Sequence, residues 1–185
     1  GAGSRMDGHH CAIFPANGAN TPVEIFESDT PLIVEERSLI CDSGGPGKMR
    51  GGLGRKMTIR VPDDDYAPQG PTSIAVQAGR YKYPPRALFG AGPGFGGRFL
   101  VIVQPGDASG LSLCLPGDVI IFDRAGGGGY GDPLQRDPQA VAADVVNGYV
   151  SLEKAREDYG IVIDPLTLKV DIEETDRIRG LRENK

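Results

Sequence analysis

The chain has 185 residues, enough for one ordinary domain with its own core, and its net charge of −5 argues against a general nucleic-acid binder, which needs a basic face to displace counterions. Hydrophobic residues at 39% and charged residues at 24% give a globular composition, while 28 glycines and 15 prolines make it turn-rich. No apolar run approaches the ~18 residues of a membrane span, and no charged start leads into an apolar stretch and cleavage site, so the expected compartment is the cytosol.

The segment from Pro22 to Ile40 reads as two antiparallel strands, Val23 to Glu27 and Leu32 to Ile40, around a turn at Ser28-Asp29-Thr30-Pro31. A dense glycine loop, Asp42 to Gly54, follows. Lys56 to Val61 then alternates with period two and stops at Pro62-Asp63-Asp64-Asp65, where proline and solvated carboxylates end a ladder. Three more strands are expected at Thr72 to Gln77, Phe99 to Val103 and Val119 to Phe122. Short strands with Gly/Pro connections predict an antiparallel sandwich or barrel-like sheet.

Beyond Asp132 the apolar period changes from two to about 3.6. Asp137 is a good N-cap with Pro138 at the first helical position, and Asn147-Gly148 closes that segment. Ser151 caps a second short helix ending at Gly160, which makes a helical hairpin. Asp171 to Arg182 fits a third, exposed helix with Glu173 and Arg177 at i,i+4 spacing, or a frayed end. The expected fold class is α+β, mainly β with C-terminal helices. Its expected division is a β-rich region over 1–132, the hairpin over 133–163 and a helical or frayed tail over 164–185.

Gly47-Lys48 in the glycine loop invites a phosphate-cradle reading, which fails on spacing. A Walker loop needs glycine five residues before the Gly-Lys pair and Ser or Thr after it, where this chain has Asp42 and Met49. The better expectation is a tight strand connection with Lys48 and Arg50 facing water or an acidic partner. His9-His10-Cys11, with Asp7 nearby, is the one place where metal-binding side chains coincide. Neighbours on a strand face opposite sides, and no other histidine completes a site, so His9 and His10 are weak metal candidates. Asp7, His9 and His10 are also weak catalytic candidates. Cys11, Cys41 and Cys114 have no CxxC spacing and read as reduced, structural thiols. Asp118 and Asp132 read as turn residues whose carboxylates bond nearby N–H groups. Tyr81, Tyr83 and Phe89 flank Pro84-Pro85 in an aromatic loop that packs on a partner or on the chain's own core.

The order of the motifs is more specific than any one of them. Phe14 to Glu24, Ser43 to Gly54, Pro84-Pro85 with Leu88-Phe89-Gly90, Leu115 to Asp118, Gly126 to Pro133, Arg136-Asp137-Pro138 and Gly148-Tyr149-Val150 together resemble the hydantoinase B/oxoprolinase family. The resemblance spans roughly residues 1 to 163 and looks like the C-terminal third of such a protein. It implies an A-type partner that uses ATP and Mg, together with the upstream portion of the B-type subunit. The pair opens cyclic amides such as hydantoins and 5-oxoproline or, in a related branch, carboxylates ketones such as acetone or acetophenone. In the hydrolase branch the implied mechanism is phosphorylation of the amide oxygen by the partner, then attack by water on the activated carbon. The resemblance implies no cofactor bound by this segment, and it places any divalent metal upstream. Asn17, Asn20, Lys48 and Arg50 are candidates for a substrate or interface loop. The expected function is part of a B-type hydrolase subunit, inactive alone. The alternatives are a ketone carboxylase subunit or a non-catalytic assembly module.

Overall fold

The computed structural model of the chain describes residues 1–11, 21–75, 79–101, 104–105 and 111–183. The first regular element among the described residues is a helix, α1 (Val23–Asp29), where the alternation of Val23, Glu24, Ile25 and Glu27 predicts a strand. Five residues of alternating sequence fit either period, and local hydrogen bonds decide between them. The Ser28 hydroxyl donates to the Ile25 carbonyl at 2.9 Å and the Thr30 hydroxyl to the Phe26 carbonyl at 2.8 Å, while Glu27 accepts the Val34 N–H at 2.8 Å. The expected turn at Ser28 to Pro31 is therefore a helix end.

The strands follow as β1 (Ile33–Leu39), β2 (Arg55–Arg60), β3 (Thr72–Ala75), β4 (Arg98–Val101), β5 (Gln104–Pro105), β6 (Leu111–Cys114) and β7 (Val119–Asp123). The ends expected for two strands, 76–77 and 102–103, lie outside the described residues. Five strands form one sheet in the order β1-β2-β7-β4-β5, antiparallel throughout, and β3 pairs with β6 in a separate ribbon. Register places Met57 opposite Phe122 and Ile59 opposite Ile120, with Phe99 beyond Phe122. That apolar face, with Val61 and Cys114, is a buried core against which Phe26 from α1 and Ile74 from β3 also pack. Ribbon and helix thus cover the sheet from one side. All three cysteines are free, and Cys114 is fully buried.

The glycine loop lies in a layer of three segments held backbone to backbone. Gly45 N–H donates to the Gly127 carbonyl at 2.8 Å and Gly127 N–H to the Gly52 carbonyl at 2.7 Å. Gly92 N–H donates to the Pro46 carbonyl at 2.7 Å, and Gly129 N–H to the Gly92 carbonyl at 3.2 Å. Met49 and Tyr130 exchange two bonds of 3.0 Å. Side chains do not fit between strands of backbone this close: a methyl group at Gly126 would run into the Ser43 carbonyl.

Three helices close the chain: α2 (Pro138–Val146), α3 (Leu152–Tyr159) and α4 (Ile172–Glu183). The cap residues expected from sequence are in place. Asp137 accepts from Gln139 N–H at 3.0 Å, Ser151 accepts from Lys154 N–H at 3.1 Å, and Gly160 ends α3 at φ +64°. Val141, Ala142, Val150, Ala155, Tyr159 and Ile161 form a second buried core between α2 and α3. The two-stranded ribbon of β8 (Val162–Ile163) and β9 (Val170–Asp171) packs beside it. Helix α4 is docked through buried Thr175, which accepts the Val162 N–H at 3.0 Å, and through Arg179, which donates to the Tyr159 and Arg136 carbonyls. Its surface ion pair joins Arg177 to Glu174 at i,i+3 spacing, one residue from the expected Glu173, and Asp171 accepts the Glu174 N–H at the helix start. Among the described residues no helix is long and apolar enough to cross a membrane.

Candidate functional site

Four charged side chains from distant parts of the chain meet where the helical cluster joins the glycine layer. Arg136 precedes α2, and Asp144 lies on the same helix face as Val141, three residues away, so the helix that buries Val141 carries a carboxylate inward as well. Arg50 comes from the glycine loop and Asp7 from the N-terminal segment. Arg136 grips both Asp7 oxygens at 2.7 Å, the fork-on-carboxylate geometry that only a guanidinium supplies. It also donates to Asp144 at 2.8 Å and to the Lys48 carbonyl at 3.1 Å. Arg50 Nε donates to the same Asp144 oxygen at 3.1 Å, and the Arg50 N–H donates to Asp7 at 2.7 Å. Arg50, Arg136 and Asp144 are each at most 6% exposed, so these are buried pairs in which removal of one partner costs about 3–5 kcal/mol. Surface pairs such as Lys154–Glu157 contribute about 0–1 kcal/mol.

The electrostatics follow from this closure. Burial pushes the Asp7 carboxyl up, but its bonds to Arg136 and the charges of Arg136 and Arg50 more than reverse that and hold it below the usual carboxylate range. Burial likewise acts against the Arg136 charge, and Asp7 and Asp144 overcome it, so Arg136 is held above its ordinary value. His10 stands next to the network. Its Nδ1 accepts the Leu53 N–H at 3.0 Å, its ring lies 4.9 Å from that of Tyr149, and the Arg50 guanidinium sits 5.2 Å from the same tyrosine ring. Burial, aided by Arg50, keeps His10 below the ordinary imidazole range, which fits a neutral ring with Nδ1 as acceptor.

A cleft of about 300 Å³ opens beside the network, lined by Asp7, Lys48, Met49, Gln135, Arg136 and Asp137 among others. Lys48 is exposed at its edge. The structure thus brings together Asp7, Lys48, Arg50 and His10 of the residues singled out from sequence. His9 is exposed, and Asn17 and Asn20 lie outside the described residues. Sequence reasoning missed Arg136, Asp144 and Tyr149 as members. The available signal was Asp144, an acid within the otherwise apolar helix segment 140–146.

Most N–H groups of the glycine loop are engaged within the chain, which does not suit a phosphate cradle. A phosphate loop presents free N–H groups. Here those of Gly45, Lys48, Met49, Arg50, Gly51, Leu53 and Gly54 all donate within the chain. Among the described residues no three His, Cys, Asp or Glu side chains gather around one point. Asp118 and Asp132 are turn residues, accepting the Leu115 and Leu134 N–H groups at 2.8 and 2.9 Å.

Comparison with known proteins agrees with the fold. The hydantoinase B/oxoprolinase pattern matches residues 1–133. The beta chain of caprolactamase from Pseudomonas jessenii is 34% identical over 89% of this chain and 29% of its own length. The crystal structure of the ATP-dependent caprolactamase superposes with a TM-score of 0.75, covering 97% of this chain and 32% of that one. The B-type component of a putative D-/L-hydantoinase from a Pseudomonas species is 31% identical over 89% of this chain and 28% of its own length. Nucleotide-free acetone carboxylase superposes with a TM-score of 0.77 at 25% identity, over 98% of this chain and 29% of that one. The chain therefore spans under a third of the length of the curated relatives it matches. It belongs to the hydantoinase B/oxoprolinase family.

Proposed function

We propose that this chain is part of the B-type subunit of an ATP-dependent cyclic amide hydrolase that works with an A-type, ATP-using subunit. The observation that carries the reading is the family match over residues 1–133, joined to similarity with two proteins named for cyclic amides, a caprolactamase and a hydantoinase. In this reaction class ATP activates the amide oxygen so that water can attack the ring carbon. The described residues suit a supporting role in that chemistry. Asp7 is held ionised by Arg136 and Arg50, which makes it a weak base, and the His10 acceptor nitrogen is engaged by Leu53. The segment accordingly supplies scaffold and one wall of the site, with Lys48 and the 300 Å³ cleft facing the remainder of the enzyme, and it is inactive alone. ATP and Mg belong to the A-type subunit, and any divalent metal to the upstream part of the B-type subunit.

The likeness to acetone carboxylase supports a second reading, ATP-dependent carboxylation of a ketone. One assay separates the two. The assembled protein containing this chain and its A-type partner is given ATP with hydantoin, 5-oxoproline or caprolactam, and separately with bicarbonate and acetone. Ring opening coupled to ADP release is the expected result. Bicarbonate-dependent ATP hydrolysis with acetone, and none with the cyclic amides, would overturn the hydrolase reading in favour of the carboxylase. Ring opening by the 185-residue chain alone would overturn its supporting role.

A further inference from the structure

One face of the five-stranded sheet carries arginines at the edge of an apolar cleft of about 200 Å³. Strand register sets the arrangement, because residues directly opposite on paired antiparallel strands share a face, as do residues two apart on one strand. Arg37 on β1 is opposite Met57 on β2, and Met57 is opposite Phe122 on β7. Arg55 lies two residues before Met57 and Arg124 two after Phe122, and the Arg124 N–H donates to the Arg55 carbonyl at 2.8 Å, which sets those two side by side. The floor of the cleft is Phe26, Met57, Ile59 and Phe122, and Arg55 and Arg124 complete its lining.

Like charges placed opposite one another on a sheet repel. Burial and the nearby charges of Arg37 and Arg124 hold Arg55 below its ordinary value. The acids of these strands are on the other face, where Glu36 pairs with Lys56 and Asp123 with Arg98. A positive cluster of this kind runs against a chain whose net charge is −5. Arg37 donates one N–H to the Thr21 carbonyl at 2.9 Å, which uses one of five donors, and Arg124 is exposed. An anion shared among these guanidinium groups would relieve the repulsion, and the floor beneath them favours an apolar body on that anion.

We propose that this cleft binds a small organic carboxylate, its charge held by Arg124 and Arg55 with Arg37 nearby, and its aliphatic or aromatic body resting on Phe26, Met57 and Phe122. At about 200 Å³ the space is smaller than most drug-sized sites, so the body is one of roughly six carbons. Bidentate guanidinium pairing suits a carboxylate, and the apolar floor, which inorganic phosphate cannot use, favours an organic one. The site is separate from the Asp7–Arg136 network and does not depend on the hydrolase reading.

The test titrates the intact protein containing this chain with sodium hexanoate, followed by ligand-observed NMR, with 1-hexanol and inorganic phosphate as comparisons. Hexanoate should bind at least about tenfold more tightly than either, and Arg124→Gln should weaken it by about tenfold or more while Arg124→Lys recovers part of the loss. Because Arg124 is exposed, the thermal unfolding of both variants should match the parent, which separates lost binding from lost fold. Equal binding of hexanol marks an apolar patch alone, and equal binding of phosphate an unselective anion site. Either outcome overturns the proposal. So does unchanged hexanoate affinity in Arg124→Gln, or no hexanoate binding at all, the result expected if an acidic side chain of a neighbouring polypeptide fills the cleft.

Discussion

In the C-terminal helical cluster, Val141, Ala155, Tyr159 and Ile161 exclude water by interdigitating side chains, whereas in the glycine layer the segments around Gly45, Gly92 and Gly127 touch backbone to backbone. The first region is stabilised by apolar area and dispersion, and its vulnerability is lost volume. The second is stabilised by hydrogen bonds between chains that have no side chains to separate them, and its vulnerability is added volume. Glycine also gives up the most chain entropy on ordering, so the layer persists only where neighbouring elements hold its strands in place. The Arg50–Asp144 and Arg136–Asp7 bonds do this by tying the helical cluster to the layer across 94 and 129 residues of sequence.

The largest effect is expected from breaking this contrast at its sharpest point. Gly126→Val should abolish soluble folded protein, since its new atoms meet the Ser43 carbonyl, and backbone yields less than the side chains behind the usual ~1–3 kcal/mol of overpacking. A two-state urea transition near the parent's midpoint would show that the layer tolerates side chains after all. Gly45 and Gly52 are similarly bounded by the backbone at Gly92 and His9, so bulky residues there test the chain's own packing before any association with partners. Next comes the tie between the regions. Asp144→Ala leaves Arg50 and Arg136 short of a buried acceptor and should cost about 3–5 kcal/mol in urea unfolding. An effect under about 1 kcal/mol would mean the network behaves like a surface pair.

Within the helical cluster, Ile161→Ala removes fully buried volume and should cost about 2–4 kcal/mol, with the fold retained by circular dichroism. Ser151→Ala should cost about 1 kcal/mol by exposing the Lys154 N–H at the start of α3. The smallest effect is a pH dependence. His10 is held below its ordinary value in the folded state, so the unfolded chain takes up the proton first. Its contribution is present above the ordinary imidazole range and is lost as pH falls through it. Between about pH 7 and pH 5 the parent should lose stability that His10→Asn, which keeps an acceptor for Leu53 but does not titrate, retains. Asp7 is also held low, so its contribution disappears only at more acidic pH, as the carboxyl in the folded state takes up its proton. Parallel denaturation midpoints for parent and variant across the first window would refute the His10 assignment.

Local chemistry made much of this chain legible in advance. Asp137-Pro138, Ser151 and Gly160 marked helix ends because a cap side chain, a fixed φ and a left-handed glycine act over a few residues; β2 showed through period-two alternation and β7 through a run of β-branched and aromatic residues. The ordered motifs carried the resemblance to the family, since several short motifs in one order are specific where any one of them is weak. The short α1 was misread because Val23 to Glu27 satisfies both periods, and the hydroxyls of Ser28 and Thr30 that settle the matter fall just past it. Tertiary structure alone decided which glycine segment lies against which, that Asp7, Arg50, Arg136 and Asp144 share one buried network, and that Arg37, Arg55 and Arg124 line one sheet face. Those pairings cross tens to more than a hundred residues, where chain spacing holds no geometric information, and they form only once the whole chain has packed.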